Sequence, residues 1–185
     1  MGGIAQLIRR SGRLAVLVLL LGLSAGGLVA GGLVVSGRAA AQEPIRGDFG
    51  VVLGQAFDQR MALGATLLPG NVTAERFQPS YPLYLFRDYY AVVTPRTRMV
   101  SGIVARSVVF ASMPECVTHL NAVQAFLARY GQVRPTSQTE SEVLVQVDQG
   151  NRAAFLRCNR GSQIHMELNY VDYEMLRLRD QEGGK

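Results

Sequence analysis

The stretch SMPECVTHLNAVQAFLARYG, residues 112–131, decides the fold because it contains one complete amphipathic helix between a start signal and a stop signal. Ser112 and Glu115 form a capping box, in which each side chain accepts a hydrogen bond from a free backbone N–H group. Pro114 suits the first turn, and Gly131 is a natural left-handed end. Apolar residues recur at spacings of four and three, which predicts one buried face. This face comprises Cys116, Leu120, Val123, Leu127 and Tyr130.

The segments around this helix have the composition of strands. Upstream, residues 89–93 and 99–110 are rich in β-branched and aromatic residues, and they flank a turn that contains Pro95. Downstream, three apolar or alternating runs are separated by turn-forming residues, which predicts three consecutive antiparallel strands. These runs are 143–147, 153–158 and 164–170.

The two ends of the domain are less strongly patterned. A short strand is expected at 51–53, and residues 57–80 show no clear pattern beyond one more strand near 74–77. Asp172 is expected to cap a short C-terminal helix. The sequence therefore predicts an α+β domain, with a mostly antiparallel sheet, one main amphipathic helix packed on one face and a short C-terminal helix.

Residues 1–41 have the order of features found in an export signal, a helix that would precede the domain. A cluster of arginines comes before an apolar run over 14–35, and small residues follow. Ala39 and Ala41 supply an A-x-A cleavage site, which predicts Gln42 as the mature N-terminus.

The length of the apolar run leaves an alternative to cleavage. It has 22 residues, enough to span a bilayer, and it contains two Gly-x-x-x-Gly pairs of the kind that pack membrane helices. We favour cleavage, and a retained membrane anchor is the alternative. The domain organisation is then a signal peptide or signal anchor, 1–41, followed by one exported domain, 42–185. We expect it to be periplasmic or secreted, or anchored in the inner membrane with the C-terminal domain outside.

The net charge of +5 belongs mostly to the leader. The first 41 residues hold four arginines and no acidic residue, so the remaining chain is close to neutral. A nucleic-acid partner is therefore not expected.

Cys116 and Cys158 are the only cysteines, and both lie in the exported part. Outside the cytoplasm such a pair is expected to form a structural disulfide, which would pin the main helix onto the sheet. Two cysteines with the isolated His119 and His165 do not supply a convincing zinc site, so no metal is expected.

An aromatic cluster interleaved with arginines is the densest candidate for a protein-binding surface. Alternation along a sheet would instead bury about half of these side chains in the core. The aromatic residues are Phe77, Tyr81, Tyr84, Phe86, Tyr89 and Tyr90, and the neighbouring arginines are Arg76 and Arg87. A second cationic group, Arg96, Thr97, Arg98 and Arg106, suggests either an anion site or a solvated turn.

No arrangement of catalytic residues is recognisable in the sequence. It lacks a nucleophile elbow, a metalloprotease helix, a phosphate-binding loop and a dinucleotide fingerprint. His119 is expected on the exposed side of the helix, and His165 is expected to face solvent or a neighbouring strand. Asp172 and Glu174 are better explained as a cap and an exposed helix residue than as a catalytic pair. We therefore expect neither an enzyme nor a cofactor.

Several stretches together resemble a family of small exported bacterial proteins of uncharacterised function. They are 49–55, 89–97 with 103–105, the helix from Cys116 to Gly131, and 168–173. The family has no assigned catalytic residues, so the resemblance implies none here. One helix on an antiparallel sheet is also similar to small outer-membrane assembly lipoproteins and β-lactamase inhibitor domains, although the leader lacks a lipobox cysteine.

These observations lead to two functional hypotheses. The first is a non-enzymatic binding or accessory protein of the bacterial cell envelope that acts through contacts with another envelope protein. The candidate contact residues are Tyr81, Tyr84, Tyr89, Tyr90, Arg87, Arg96 and Arg98. The alternative is an accessory subunit of a membrane complex, held there by an uncleaved helix over 14–35.

The leader and the cysteines predict the intact mass of the protein isolated from its native envelope without reductant. We expect a species that begins at Gln42 and lacks two hydrogens, because the signal is removed and the thiols are oxidised. A full-length mass confined to the membrane fraction would instead establish the retained anchor.

Overall fold

A computed structural model of the protein describes residues 42–183. The predicted leader 1–41, with its apolar run 14–35 and the cleavage residue Ala41, lies outside the described residues. Within residues 42–183, no helix is both long and apolar enough to cross a membrane.

Ten strands and two helices follow one another along the described part of the chain. In order they are β1 Gly47–Asp48, β2 Val51–Val52, β3 Ala62–Leu68, β4 Val72–Phe77, β5 Phe86–Val93, β6 Val100–Phe110, α1 Met113–Leu127, β7 Arg134–Gln138, β8 Glu142–Gln149, β9 Arg152–Arg160, β10 Ile164–Asp172 and α2 Tyr173–Glu182. The predicted α+β class, with one main helix and one C-terminal helix, is confirmed.

Strands β3 to β10 form one antiparallel sheet, in the order β3-β4-β5-β6-β10-β9-β8-β7. The three predicted strands after the main helix correspond to β8, β9 and β10. The last of them returns to the middle of the sheet and pairs with β6 as well as β9. The short β1–β2 hairpin forms a separate two-stranded ribbon.

Helix α1 begins and ends at the predicted signals. Ser112 Oγ accepts a hydrogen bond from the Glu115 N–H at 3.3 Å. Glu115 Oε2 accepts one from the Ala111 N–H at 2.9 Å, one residue earlier than in a standard capping box. A 3-10 turn extends the helix to Tyr130, and Gly131 ends it with a φ of +146°, which favours glycine.

Side-chain alternation gives the sheet two different faces. The core face packs on α1 and carries apolar side chains from the central strands, such as Ile103, Leu156 and Leu168. We call the opposite side the open face; it carries Arg106 and Glu167 on adjacent strands. Helix α2 packs on β6 and β10. The sheet is therefore apolar toward α1 and mixed in polarity on the open face.

Strands β3 and β7 are the two strands of the large sheet that the sequence did not predict; the short β1 was not predicted either. Strand β3 has the sequence ALGATLL, in which Thr66 is the one β-branched residue, so its intrinsic strand preference is weak. Strand β7, RPTSQ, contains Pro135, which normally argues against a strand and is tolerated at an edge. Both strands form the outer edges of the sheet, where a single neighbour fixes their position.

The predicted disulfide joins helix α1 to strand β9. Cys116 and Cys158 are linked, with their Cα atoms 6.0 Å apart, and both residues are completely buried. The link closes a loop over a separation of 42 residues. It holds the predicted apolar stripe of α1 against the core face, where Val123 alone among the stripe residues is partly rather than fully buried.

Replacing both cysteines by alanine should lower the free energy of unfolding by roughly 3–4 kcal/mol, because the unfolded chain regains the entropy of the open loop. Urea denaturation of oxidised protein measures this change. Reduced wild-type protein is the matched control and should lose a similar amount. An unchanged unfolding midpoint in both samples would contradict the prediction.

Candidate functional site

The clearest candidate for a contact surface is the outer edge of the sheet at strand Ala62–Leu68, which we call the β3 edge. This strand pairs with β4 on one side and has no strand partner on the other within residues 42–183. Its seven residues include no charge and no proline. Leu63 and Leu67 are 60% and 68% exposed. An uncharged edge with exposed leucines is a template to which another chain can add a strand.

The opposite edge of the sheet, β7, is protected against such pairing. It carries the charged Arg134 and the proline Pro135, which has no N–H group to donate. Its register with β8 is irregular between Pro135 and Ser137, but the register of β3 with β4 is irregular as well, between Ala62 and Gly64. Charge and proline, which β7 has and β3 lacks, discourage the addition of a strand. By these two features, β3 is the less protected edge of the sheet.

The β3 edge is placed by a hairpin at the periphery of the sheet. Gly70 and Asn71, both with positive φ, turn the chain between β3 and β4. Strand β4 then pairs with β5 at only three positions, 74–76. An ion pair of 2.6 Å between Arg98 and Glu75 supports this short ladder. The hairpin is therefore attached to the sheet along β4, and the outer side of β3 has no strand partner within residues 42–183.

A depression with a volume of about 190 Å³ borders the β3 edge. Its lining includes Leu63, Pro82 and the predicted contact residue Arg87. A strand added at β3 would pass beside this depression, which would accommodate one of its side chains.

The predicted aromatic cluster divides between the core and the surface. Phe77, Phe86 and Tyr89 are at most 3% exposed, and the Tyr89 hydroxyl accepts a hydrogen bond from the Leu83 N–H at 2.9 Å. Tyr84 is 87% exposed. Tyr89 therefore belongs to the core in the folded domain, whereas Tyr84 is available to a partner.

Tyr90 points to the other side of the sheet from its neighbour Tyr89. It is partly buried on the open face, where the Arg106 guanidinium lies 5.9 Å from the centre of its ring. Tyr81 is 52% exposed, but its hydroxyl donates to the buried Asp48 carboxylate at 2.6 Å. The four predicted contact tyrosines therefore lie in different environments: the core, the surface, the open face and the neighbourhood of Asp48.

The predicted cationic group is not gathered into one anion site. Arg98 binds Glu75, while Arg106 binds Glu167 at 2.8 Å. The backbone N–H groups of Arg96 and Thr97 donate to Glu182, at 2.7 and 3.2 Å. Within the described residues, these groups are engaged with acidic side chains of the same chain.

The candidate histidines and C-terminal carboxylates make contacts within the fold. His119, which was expected to be exposed, is partly buried, and its ring stacks on that of Phe110 with 5.2 Å between the ring centres. His165 lies 3.2 Å from Glu167. Asp172 is confirmed as the cap of α2, because its Oδ1 accepts from the Glu174 and Met175 N–H groups at 3.1 Å.

The buried carboxylate of Asp48, which sequence reasoning missed, collects the largest set of polar contacts on the core side. Its Oδ1 accepts from the Phe49 N–H at 2.8 Å and the Tyr81 hydroxyl at 2.6 Å. Its Oδ2 accepts from Arg129 Nη2 at 2.8 Å and the Tyr170 hydroxyl at 2.7 Å. A carboxylate has about four acceptor positions, so four donors satisfy it completely. We call this group the Asp48 centre.

The Asp48 centre is an anchor rather than a reaction site. Its acceptors are filled and Asp48 is 4% exposed, so no position is left for a substrate. Burial, reinforced by the adjacent Asp48 carboxylate, raises the pKa of Tyr170 far above its usual value. Burial also raises the pKa of Tyr81 and Tyr130. These hydroxyls are therefore held neutral; those of Tyr81 and Tyr170 donate to Asp48, whereas that of Tyr130 accepts from Arg129 Nη2.

Comparisons with protein-family models, with curated proteins and with solved structures find no match to this chain. Within residues 42–183, no group of three or more His, Cys, Asp or Glu side chains is arranged to hold a metal ion.

The Asp48 centre predicts a loss of stability in alkali. Because the pKa of Tyr170 is raised in the folded state, its stabilisation is complete below the unfolded value of about 10 and is lost as the pH rises above it. Tyr170→Phe should reduce the slope of this loss by about 1.4 kcal/mol per pH unit. It should also cost roughly 1–3 kcal/mol at neutral pH, because a buried acceptor loses its donor.

Denaturant unfolding between pH 8 and 11 measures both effects. Tyr84→Phe, at an exposed position, is the matched control and should follow the wild type. A slope for Tyr170→Phe equal to that of the wild type would show that the hydroxyl does not act as proposed.

Proposed function

We propose that this chain is a non-enzymatic binding or accessory protein of the bacterial cell envelope, which holds a partner envelope protein by adding a strand of that partner to the β3 edge. The single observation that carries the proposal is the unprotected edge Ala62–Leu68 on a sheet whose other edge is protected. Strand addition supplies affinity through main-chain hydrogen bonds and specificity through alternate side chains.

The environment of the domain supports an envelope location. The disulfide between Cys116 and Cys158 suits an oxidising compartment, and the predicted leader would carry the chain there. The resemblance to small exported bacterial proteins would place the chain in the same compartment.

The chemistry of the β3 edge defines the partner segment. Ala65 and Leu67 lie on one side of the strand, and the exposed Leu63 lies at the irregular register between Ala62 and Gly64. A segment with apolar side chains at alternate positions would cover both leucines, and small side chains would fit against Ala65. The depression beside Leu63 would receive one further side chain. We therefore propose an extended, uncharged and apolar segment as the partner.

The polar centres of the domain support a non-enzymatic role. Asp48 is saturated by four donors, and both oxygens of Glu167 accept from arginines. A general acid or base must reach a proton of its substrate, whereas these carboxylates are committed to neighbours within the chain.

A membrane-anchored subunit is the second proposal, favoured by the two Gly-x-x-x-Gly pairs within 14–35. It would use the same edge of the exported domain. The two proposals differ in the cell fraction from which the complex would be isolated. A cleaved leader would leave the complex in the soluble fraction, and a retained helix would leave it in the membrane fraction.

The double substitution Leu63→Lys and Leu67→Lys should weaken capture of the partner by at least roughly tenfold, because charges on an edge strand oppose pairing. Both side chains are exposed, so the fold should remain intact. The measurement is crosslinking in the native envelope with a photoreactive residue at position 65, followed by mass spectrometry of the joined peptides.

Thr136→Lys and a photoreactive residue at position 136 are the matched controls on β7. We expect one partner peptide joined at 65 and none at 136. Capture that survives the two lysines would refute the proposal. A product that contains only two copies of this chain would replace the envelope partner with a self-paired dimer and would also overturn it.

A further inference from the structure

A groove of about 210 Å³ runs between helix α2, the β3–β4 turn and the open face of the sheet. Its apolar lining is formed by side chains from the sheet, the turn and the helix. These include Pro69, Val72, Val92, Val104 and Leu176. A groove of this size suits one short apolar chain.

One end of the groove carries two arginines. Glu167, 3% exposed, lies between Arg106 and Arg157, whose Nε atoms donate to its two oxygens at 3.1 and 2.9 Å. Burial opposes ionisation of Glu167, but the two guanidinium groups outweigh it and lower its pKa. Arg157 also lies 3.9 Å from Glu142, and Arg179, which lines the groove as well, is paired with Asp180.

The arginine pair is positioned before any ligand arrives. Each guanidinium uses its Nε and Nη2 atoms on Glu167. A guanidinium has five N–H donors, so each arginine retains further donors for a second anion. Because Glu167 fixes both side chains, an anion that binds them would lose little side-chain entropy.

Asn169 supplies an independent sign of a missing acceptor. It is 7% exposed and lines the same groove. Its Nδ2 atom is buried and has no acceptor within residues 42–183. A buried donor without an acceptor costs free energy, and such groups are uncommon in folded proteins. Because the atom itself is inaccessible, a ligand oxygen would satisfy it once the Asn169 side chain turns toward the groove.

We propose that this groove binds a small single-chain anionic amphiphile, with its apolar tail along Val104 and Leu176 and its carboxylate or phosphate oxygens at Asn169 and the arginine pair. A neutral apolar molecule would leave the Asn169 and arginine donors without a further acceptor, and a cation would offer them none. The inference rests on the open face and does not depend on strand addition at the β3 edge.

Isothermal titration of protein expressed from the full-length gene tests the inference, with octanoate as the probe. We expect saturable binding of one octanoate. Octanol should bind at least roughly tenfold more weakly because it lacks the charge, and inorganic phosphate should do so because it lacks the tail. Octanol that binds as tightly as octanoate would overturn the anionic site.

Asn169→Leu separates ligand binding from structure. Removing an unsatisfied buried donor should leave the melting temperature unchanged or raise it, whereas octanoate affinity should fall by roughly tenfold. Val104→Trp, which fills the groove, should abolish binding. Arg160→Gln, at an exposed arginine of β9 that does not line this groove, is the matched control. The inference fails if the wild type does not bind octanoate, or if Asn169→Leu binds it as tightly as the wild type.

Discussion

The hydrogen bonds of the Asp48 carboxylate are the interaction on which the rest of this structure depends. Its donors come from the adjacent turn, from the loop after β4, from the end of helix α1 and from the last strand of the sheet. Burying a charge is costly unless it is paired and hydrogen-bonded, so this arrangement is stable only when all four segments are in place. The same contacts hold Phe49 at a φ of +61°, a left-handed conformation that bulky residues rarely adopt. Its completely buried ring packs against Tyr89 at 4.9 Å, which offsets that strain.

Each face of the sheet has a buried carboxylate, and the two carboxylates differ in their hydrogen-bond donors. On the core face, Asp48 receives two hydroxyls, one arginine and one backbone N–H, and its acceptors are filled. On the open face, Glu167 receives two arginines, and one of them, Arg157, also lies 3.9 Å from Glu142. The first arrangement closes the domain around its N-terminal hairpin. The second leaves cationic donors beside an apolar groove. A single antiparallel sheet thus separates an anchor from a surface that suits an anionic ligand.

The parts of the fold that sequence reasoning predicted are those with local signals. The capping box at Ser112, the apolar stripe of α1 and the turns between β8, β9 and β10 each lie within a few residues, and all were found. Strand β3 was missed because alanine, glycine and leucine give little strand preference without a neighbour. The Asp48 centre was missed because its partners are 33, 81 and 122 residues away. The aromatic cluster does not form one surface, because successive side chains of a strand point to opposite faces of the sheet, as Tyr89 and Tyr90 do.

The long sequence separation within the Asp48 centre also has a kinetic consequence. Under the proposed export, the chain crosses the membrane with its N-terminal part first, and Tyr170 follows Asp48 by 122 positions. The hairpin of β3 and β4 is therefore across while the carboxylate still lacks its last donor and the strands that shield the core have not yet crossed. The uncharged edge is exposed before its anchor forms, so the domain can complete its fold only when the last strand arrives.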